Sequence, residues 1–443
     1  MKNNLLTGNV TKSMIFFAIP MILGNLLQQF YNIADTLIVG RFLGKDALAA
    51  VGSSYTLMVF LTSVILGMCM GSGAAFSIFY GAKKLDDLKT SFFISFLFIA
   101  VVAIAINICV IVAIDSIIIL LQIPSSILKE TKDYLQIIFL GILFTFLYNY
   151  LACLLRALGN SFTPLIFLGI SAVMNIVLDI IFVIVIPLGV SGAALATVIA
   201  QGFSAIGILL YTIKKEEMVC LRRRHLCIRK DLFKMILQYS TVTCLQQSIM
   251  NFGILMIQGL VNSFGVVVMA AFSAAVKIDS FAYIPVQDFG NAFSTFIAQN
   301  YGAKNKERIR AGILLAVKIA VVFCLIISVI VFAFAPILMQ IFIKASEVEV
   351  IAVGVTYLRI EGACYCGIGC LFLLYGFYRA INMPWMSVIL TIISLGTRVV
   401  LAYALAPIES IGLLGIWWAI PIGWFLADFV GFSYIRKASK LTN

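Results

Sequence analysis

Three polar side chains sit in stretches where a membrane-spanning chain can least accommodate them. Asp35 lies inside Pro20 to Gly44, PMILGNLLQQFYNIADTLIVGRFLG, with Gln28, Gln29 and Asn32 on the preceding turns. Asn175 and Asp179 lie in SAVMNIVLDIIFVIVI, which has no other charge, and their spacing of four puts them on one helix face. A carboxylate at bilayer depth costs several kcal/mol and is tolerated where it faces protein or a wet cavity. Two carboxylates in one site cannot both stay ionised cheaply, so a proton could load from one side and leave on the other. The same oxygens, with an amide, also suit a hard cation such as sodium. The bland alternative is that both aspartates are hydrogen-bonded and only lock helices together.

Weaker candidates lie further on. Lys277 and Asp279 are close neighbours that could pair with each other or across helices, and Asp288 stands mid-span, where it could meet a cationic cargo. Glu361, Arg359, Arg398 and Asp428 read as helix–helix pairs or interfacial groups.

The elements that must position these residues follow from composition. Of 443 residues 63% are hydrophobic and 11% charged, with a mean hydropathy of +1.11. That excludes a soluble globule and predicts an all-α polytopic membrane protein. The first apolar run has no small-residue cleavage site and continues into QQFYNIAD, so it reads as a retained first helix. Twelve transmembrane helices are expected, at roughly 13–34, 52–80, 91–114, 134–155, 163–186, 191–213, 235–262, 266–299, 311–342, 350–378, 385–406 and 412–435. Asn262-Ser-Phe-Gly265 and Pro187-Leu-Gly-Val-Ser-Gly192 read as turns between spans.

The net charge of +12 marks topology, not nucleic acid. With both termini cytoplasmic, twenty-two lysines and arginines fall inside and five outside (Arg41, Lys45, Lys129, Lys132 and Lys344). Most of the ten cysteines lie in apolar segments and read as soft packing; Cys220 and Cys227 flank the single histidine, His225, in a basic loop that lacks zinc-site spacing and reads as solvated. No nucleotide loop, catalytic triad or cofactor motif is visible, so an enzyme is not expected.

The chain also repeats itself. Tyr80-Gly-Ala-Lys83 recurs as Tyr301-Gly-Ala-Lys304, 221 positions later, and Ala49-Ala50 as Ala270-Ala271 at the same offset. Arg156-Ala157 recurs as Arg379-Ala380, and Gly189 and Gly192 as Gly412 and Gly415, both at 223; Leu27-Gln28-Gln29 recurs as Leu245-Gln246-Gln247 at 218. Each half holds an even number of spans, so the two six-helix repeats are parallel and would rock about a central cavity, as in a secondary transporter. The expected division is an N-lobe over 1–213, a basic cytoplasmic linker over 214–234 and a C-lobe over 235–443.

Asn32-Ile-Ala-Asp35 with Val39-Gly40 and Leu48-Ala-Ala-Val-Gly52, the paired Gly-Ala-Lys motifs, Arg156-Ala-Leu-Gly-Asn160 with Pro164, Asn175 with Asp179, and Gly189-Val-Ser-Gly-Ala-Ala194 together resemble the multidrug and toxic compound extrusion (MATE) family, over essentially the whole chain. The resemblance implies two six-helix lobes around a V-shaped cavity and export of cationic or amphipathic compounds against inflow of protons or sodium ions. In the prokaryotic branch related to DNA-damage-inducible transporters, the cation site joins an aspartate of the first helix, an asparagine and aspartate of the fifth and a threonine of the sixth. Asp35, Asn175, Asp179 and Thr197 fill those positions, with Asn149 as the candidate for a fourth-helix asparagine. The NorM branch uses a glutamate of the seventh helix and an aspartate of the tenth; here the seventh offers Gln246 and Gln247, and the tenth no acid deeper than Glu361, so coupling is expected in the N-lobe.

The resulting expectation is an antiporter in the cell membrane, acting as a monomer on small-molecule substrates, with no cofactor besides the coupling ion, H+ or Na+. One charge moved through about 100 mV yields about 2.3 kcal/mol, enough for roughly a fiftyfold gradient. The competing function is a lipid-linked sugar flippase of the same superfamily, which would carry basic residues in its cavity; the N-lobe spans hold acids instead.

Overall fold

The structure, a computed structural model, describes residues 4–120 and 127–441. Apolar runs of this length can satisfy their backbone in lipid only as helices, and among the described residues the regular structure is helical throughout. The helices are α1 (Val10–Phe42), α2 (Lys45–Gly81), α3 (Leu85–Leu120), α4 (Leu128–Leu140), α5 (Ile142–Ala157), α6 (Phe162–Asp179), α7 (Gly189–Lys215), α8 (Lys230–Asn262), α9 (Val266–Gly302), α10 (Lys306–Gln340), α11 (Val348–Ala363), α12 (Tyr365–Ala380), α13 (Pro384–Leu405) and α14 (Leu413–Leu441).

Two spans expected as single helices are bent. α4 and α5 meet at 41°, and α11 and α12 at 53°. Among the described residues ten helices are long and apolar enough to cross a bilayer, and counting each bent pair as one span makes twelve. Gly141 stands at the first bend because α7 passes so close that a Cβ there would lie 2.9 Å from Val198 Cγ2 and 3.0 Å from Gln201 Oε1. Several helices exceed one crossing: α2 and α9 have 37 residues each, about 55 Å at 1.5 Å per residue.

The repeat is written into the backbone. Left-handed conformations pair at the offsets of the sequence repeat: Gly44 with Gly265 (φ +89° and +96°), Lys83 with Lys304 (+57° and +56°), Gly159 with Asn382 (+86° and +65°), and Gly189 with Gly412 (+64° and +49°). A lysine in this region is uncommon, so its recurrence after α2 and after α9 marks one loop design used twice.

The chain forms two compact units, residues 1–8 with 15–244 and residues 9–14 with 245–443. The border therefore falls inside α8, ten residues beyond the expected start of the second lobe. The reason is backbone packing: a Cβ on Gly67 would lie 2.7 Å from Cys244 Cα, and one on Gly71 2.8 Å from Ser240 Cα. Ser72 and Ser240 hydroxyls meet at 2.9 Å across the same contact. This first stretch of α8 is thus part of the first unit's core, which includes Phe76, Phe92, Phe146, Tyr150 and Tyr239. In the second unit Trp417 stacks on Phe272 at 5.5 Å and takes Tyr357 edge-on at 4.8 Å.

Candidate functional site

Asp179 is the last residue of α6 in α-helical geometry. The chain then widens into a π-helical segment, Ile180–Val185, with Ile186 N–H donating to the Ile181 carbonyl at 2.8 Å. Gly189 (φ +64°) restarts the chain as α7, and Gly192 lets α7 pass tightly, since a Cβ there would lie 2.7 Å from the Phe182 carbonyl oxygen. π-helical turns of this kind occur often at functional sites.

This hairpin brings α6 and α7 together at the expected residues. Asn175 Nδ2 donates to Thr197 Oγ1 at 3.2 Å. Asn175 is 2% and Asp179 0% exposed, and the Asp179 carboxyl interacts directly with that of Asp35 on α1. α1 continues past the expected span to Phe42, which places Asp35 inside the helix. Asp35 Oδ1, Asn175 Oδ1 and both oxygens of Asp179 are buried without a hydrogen-bond donor among the described residues.

Asn149, the fifth candidate, does not join them. Its Nδ2 donates to the Thr145 carbonyl of its own helix at 2.8 Å, and among the described residues no hydrogen bond links it to the other four. An amide four residues from a carbonyl on the same helix is satisfied locally, a pairing that spacing alone does not reveal.

The spans contribute more than the sequence assigned. Tyr31 lies on α1 beside Gln28 and Asp35, Tyr134 lies near both Asp35 and Asp179, and Tyr55 lies beside Tyr31 and Tyr134. Tyr31 was legible, being four residues before Asp35 and therefore on its face. Tyr55 on α2 and Tyr134 on α4 have no local signal.

The four residues expected to line a substrate cavity fare differently. Asp279, Asp288 and Gln246 are buried, so none presents a surface to a cargo in this conformation. Lys277 is exposed, with Nζ 6.0 Å above the Phe342 ring, and does not pair with Asp279: two residues apart on a helix, they face away from each other. Asp279 instead accepts from the Tyr365 hydroxyl and meets Glu361, which is 4% exposed, in a helix–helix pair between α9 and α11.

Most of the basic loop is exposed, as expected of a solvated loop, but His225 anchors it at one point. His225 is 2% exposed; its Nδ1 accepts from the Arg222 N–H at 3.0 Å and its Nε2 lies 3.0 Å from Asp86 Oδ1. Arg224 Nη2 donates to Asp86 at 2.8 Å, and Arg229 reaches Asp87 at 2.6 Å and Asp231 at 2.5 Å. Cys220 and Cys227 are exposed thiols, and no metal-ligating cluster occurs among the described residues.

The profile of the MatE family matches residues 20–181 and 242–404, one match in each repeat. The chain is 33% identical to "Probable multidrug resistance protein YpnP" of Bacillus subtilis (strain 168), over 98% of this chain and 97% of that protein. Among solved structures it superposes with a TM-score of 0.93 and 25% identity, over 99% of this chain and 98% of the other, on one described as "Outward-facing conformation of a multidrug resistance MATE family transporter of the MOP superfamily". The same figures hold for "Reverse polarity of binding pocket suggests different function of a MOP superfamily transporter from Pyrococcus furiosus Vc1 (DSM3638)".

Proposed function

The chain belongs to the MatE family of membrane transporters, and on that premise we propose that it is a secondary active multidrug efflux antiporter, exporting cationic or amphipathic compounds in exchange for protons or sodium ions. The observation that carries this reading is the Asp35–Asp179 pair beside the Asn175–Thr197 bond, with four buried acceptor oxygens lacking a donor among the described residues. Facing acceptors repel each other in a low dielectric, and one proton between them converts repulsion into a hydrogen bond. A sodium ion would satisfy the same oxygens, with Asn175 Oδ1 and Thr197 Oγ1 as neutral ligands. Binding of the ion from outside and its release inside would drive one cycle of alternating access.

The finer assignments belong to the same proposal: a monomer in the plasma membrane, both termini cytoplasmic, with the basic loop on the cytoplasmic side. The flippase alternative draws no support from the relatives, of which the curated ones are named for multidrug resistance or export. Cargo polarity is the part to test hardest, since one solved relative of equal similarity is described as having reversed pocket polarity.

The test is efflux of a fluorescent cationic dye from right-side-out vesicles under a proton or a sodium gradient imposed separately. Wild type is expected to export dye under one gradient, identifying the ion, and Asp35→Asn to export none. Dye that stays put under both gradients, or a mutant as active as wild type, overturns the reading.

A further inference from the structure

A second buried acid pair lies in the second unit, on helices the coupling reading does not use. Asp279 on α9 is 3% exposed and Glu361 on α11 is 4% exposed, and their carboxyl groups interact directly. The surrounding groups are few. Tyr365 of α12 donates its hydroxyl to Asp279 Oδ1. Tyr357 of α11 lies against both acids, and Arg398 of α13 faces both. Cys364, at the bend between α11 and α12, is beside Glu361, and Cys324 of α10 is beside Tyr365. α14 presents Trp417, packed on Tyr357. Two neighbouring cations on the same helices lie over aromatic rings: Lys277 over Phe342, and Arg359 at 5.5 Å over the Phe332 ring.

Asp279 Oδ2, Glu361 Oε1 and Arg398 Nε are buried without hydrogen-bond partners among the described residues. If both acids were ionised, the group would hold two negative charges and one positive charge, with two acceptor oxygens facing no donor. Buried charge persists only when paired and hydrogen-bonded. One proton repairs both faults, because it leaves a single carboxylate opposite Arg398 and supplies the missing donor. A metal cation is a poor substitute, since the guanidinium already occupies the cationic role.

We propose that Asp279 and Glu361 form a second proton-binding site, in which the two carboxyl groups share one proton and Arg398 balances the remaining carboxylate. The site goes beyond the coupling reading and stands without it, because its residues and its charge balance are independent of Asp35 and Asp179. It makes the second unit a proton carrier in its own right, alongside whichever ion the first unit takes.

The test follows protonated-carboxyl stretching bands by infrared difference spectroscopy on the purified full chain in lipid, as pH is stepped. Wild type is expected to show a component that disappears in Glu361→Gln and in Asp279→Asn and persists in the Asp35→Asn/Asp179→Asn double variant. Sodium added at constant pH is expected to leave that component unchanged. A folded Glu361→Gln protein with the wild-type band pattern, or displacement of the component by sodium, overturns the proposal. Should Glu361→Gln not fold, Tyr365→Phe keeps both acids and removes one donor to Asp279; a shifted midpoint for that component supports the proposal and an unshifted one overturns it. Loss of the Asp35-dependent component alone would bear only on the coupling reading.

Discussion

Asn175 Nδ2 donates to Thr197 Oγ1 across 3.2 Å, and that bond joins α6 to α7 beside the acid pair. It also fixes the amide's orientation, leaving Oδ1 as a buried acceptor without a donor among the described residues. Thr197→Val is expected to orphan the buried amide nitrogen and lower stability by about 1–3 kcal/mol. Thr197→Ser keeps the oxygen and is expected to stay near wild type. Thermal melts in detergent, paired with dye efflux, check both.

Asp179→Asn is expected to abolish efflux without unfolding the protein. The new amide can donate to the Asp35 carboxylate, so stability is expected to hold or rise by about 1 kcal/mol. Asn149→Ala, whose amide is occupied by the Thr145 carbonyl, is expected to cost efflux far less than Asn175→Ala. Side-by-side efflux rates at matched membrane abundance decide this ranking.

Gly71→Val is expected to prevent assembly of the first unit. A Cβ at Gly71 would sit 2.6 Å from the Tyr239 carbonyl carbon and against its oxygen, which is backbone and cannot swing aside. Overpacking of well-packed cores costs typically about 1–3 kcal/mol, and a rigid backbone neighbour places this case at the upper end. Loss of monodisperse protein on size exclusion is the expected readout.

The basic loop separates two kinds of contact. Arg229→Ala removes exposed ion pairs with Asp87 and Asp231 and is expected to change stability by less than about 1 kcal/mol. His225→Ala removes a buried ring that accepts the Arg222 N–H, and is expected to cost about 2 kcal/mol. The melting temperatures of the two variants are therefore expected to differ clearly.

Cys220 and Cys227 are exposed in this same loop. A membrane-impermeant maleimide is expected to label them in inside-out vesicles and not in right-side-out ones. Labelling from the outside would reverse the proposed orientation.

The sequence by itself determined what repeats and what is forbidden. Apolar length dictated the spans, because backbone groups in lipid must pair within a helix. The Gly-Ala-Lys repeat fixed two matching left-handed lysines, Lys83 and Lys304. The spacing of Asn175 and Asp179 placed them on one helix face, and the cost of burying Asp35 marked it as a site. Tertiary structure alone decided which of these groups meet. Asp35 reaches Asp179 from another helix, and Tyr134 approaches both from a third. Asp279 turns from its sequence neighbour Lys277 to Glu361, and the first part of α8 joins the unit before it because two glycines admit its backbone. None of these relations has a local period to betray it, since each depends on where helices distant in sequence cross.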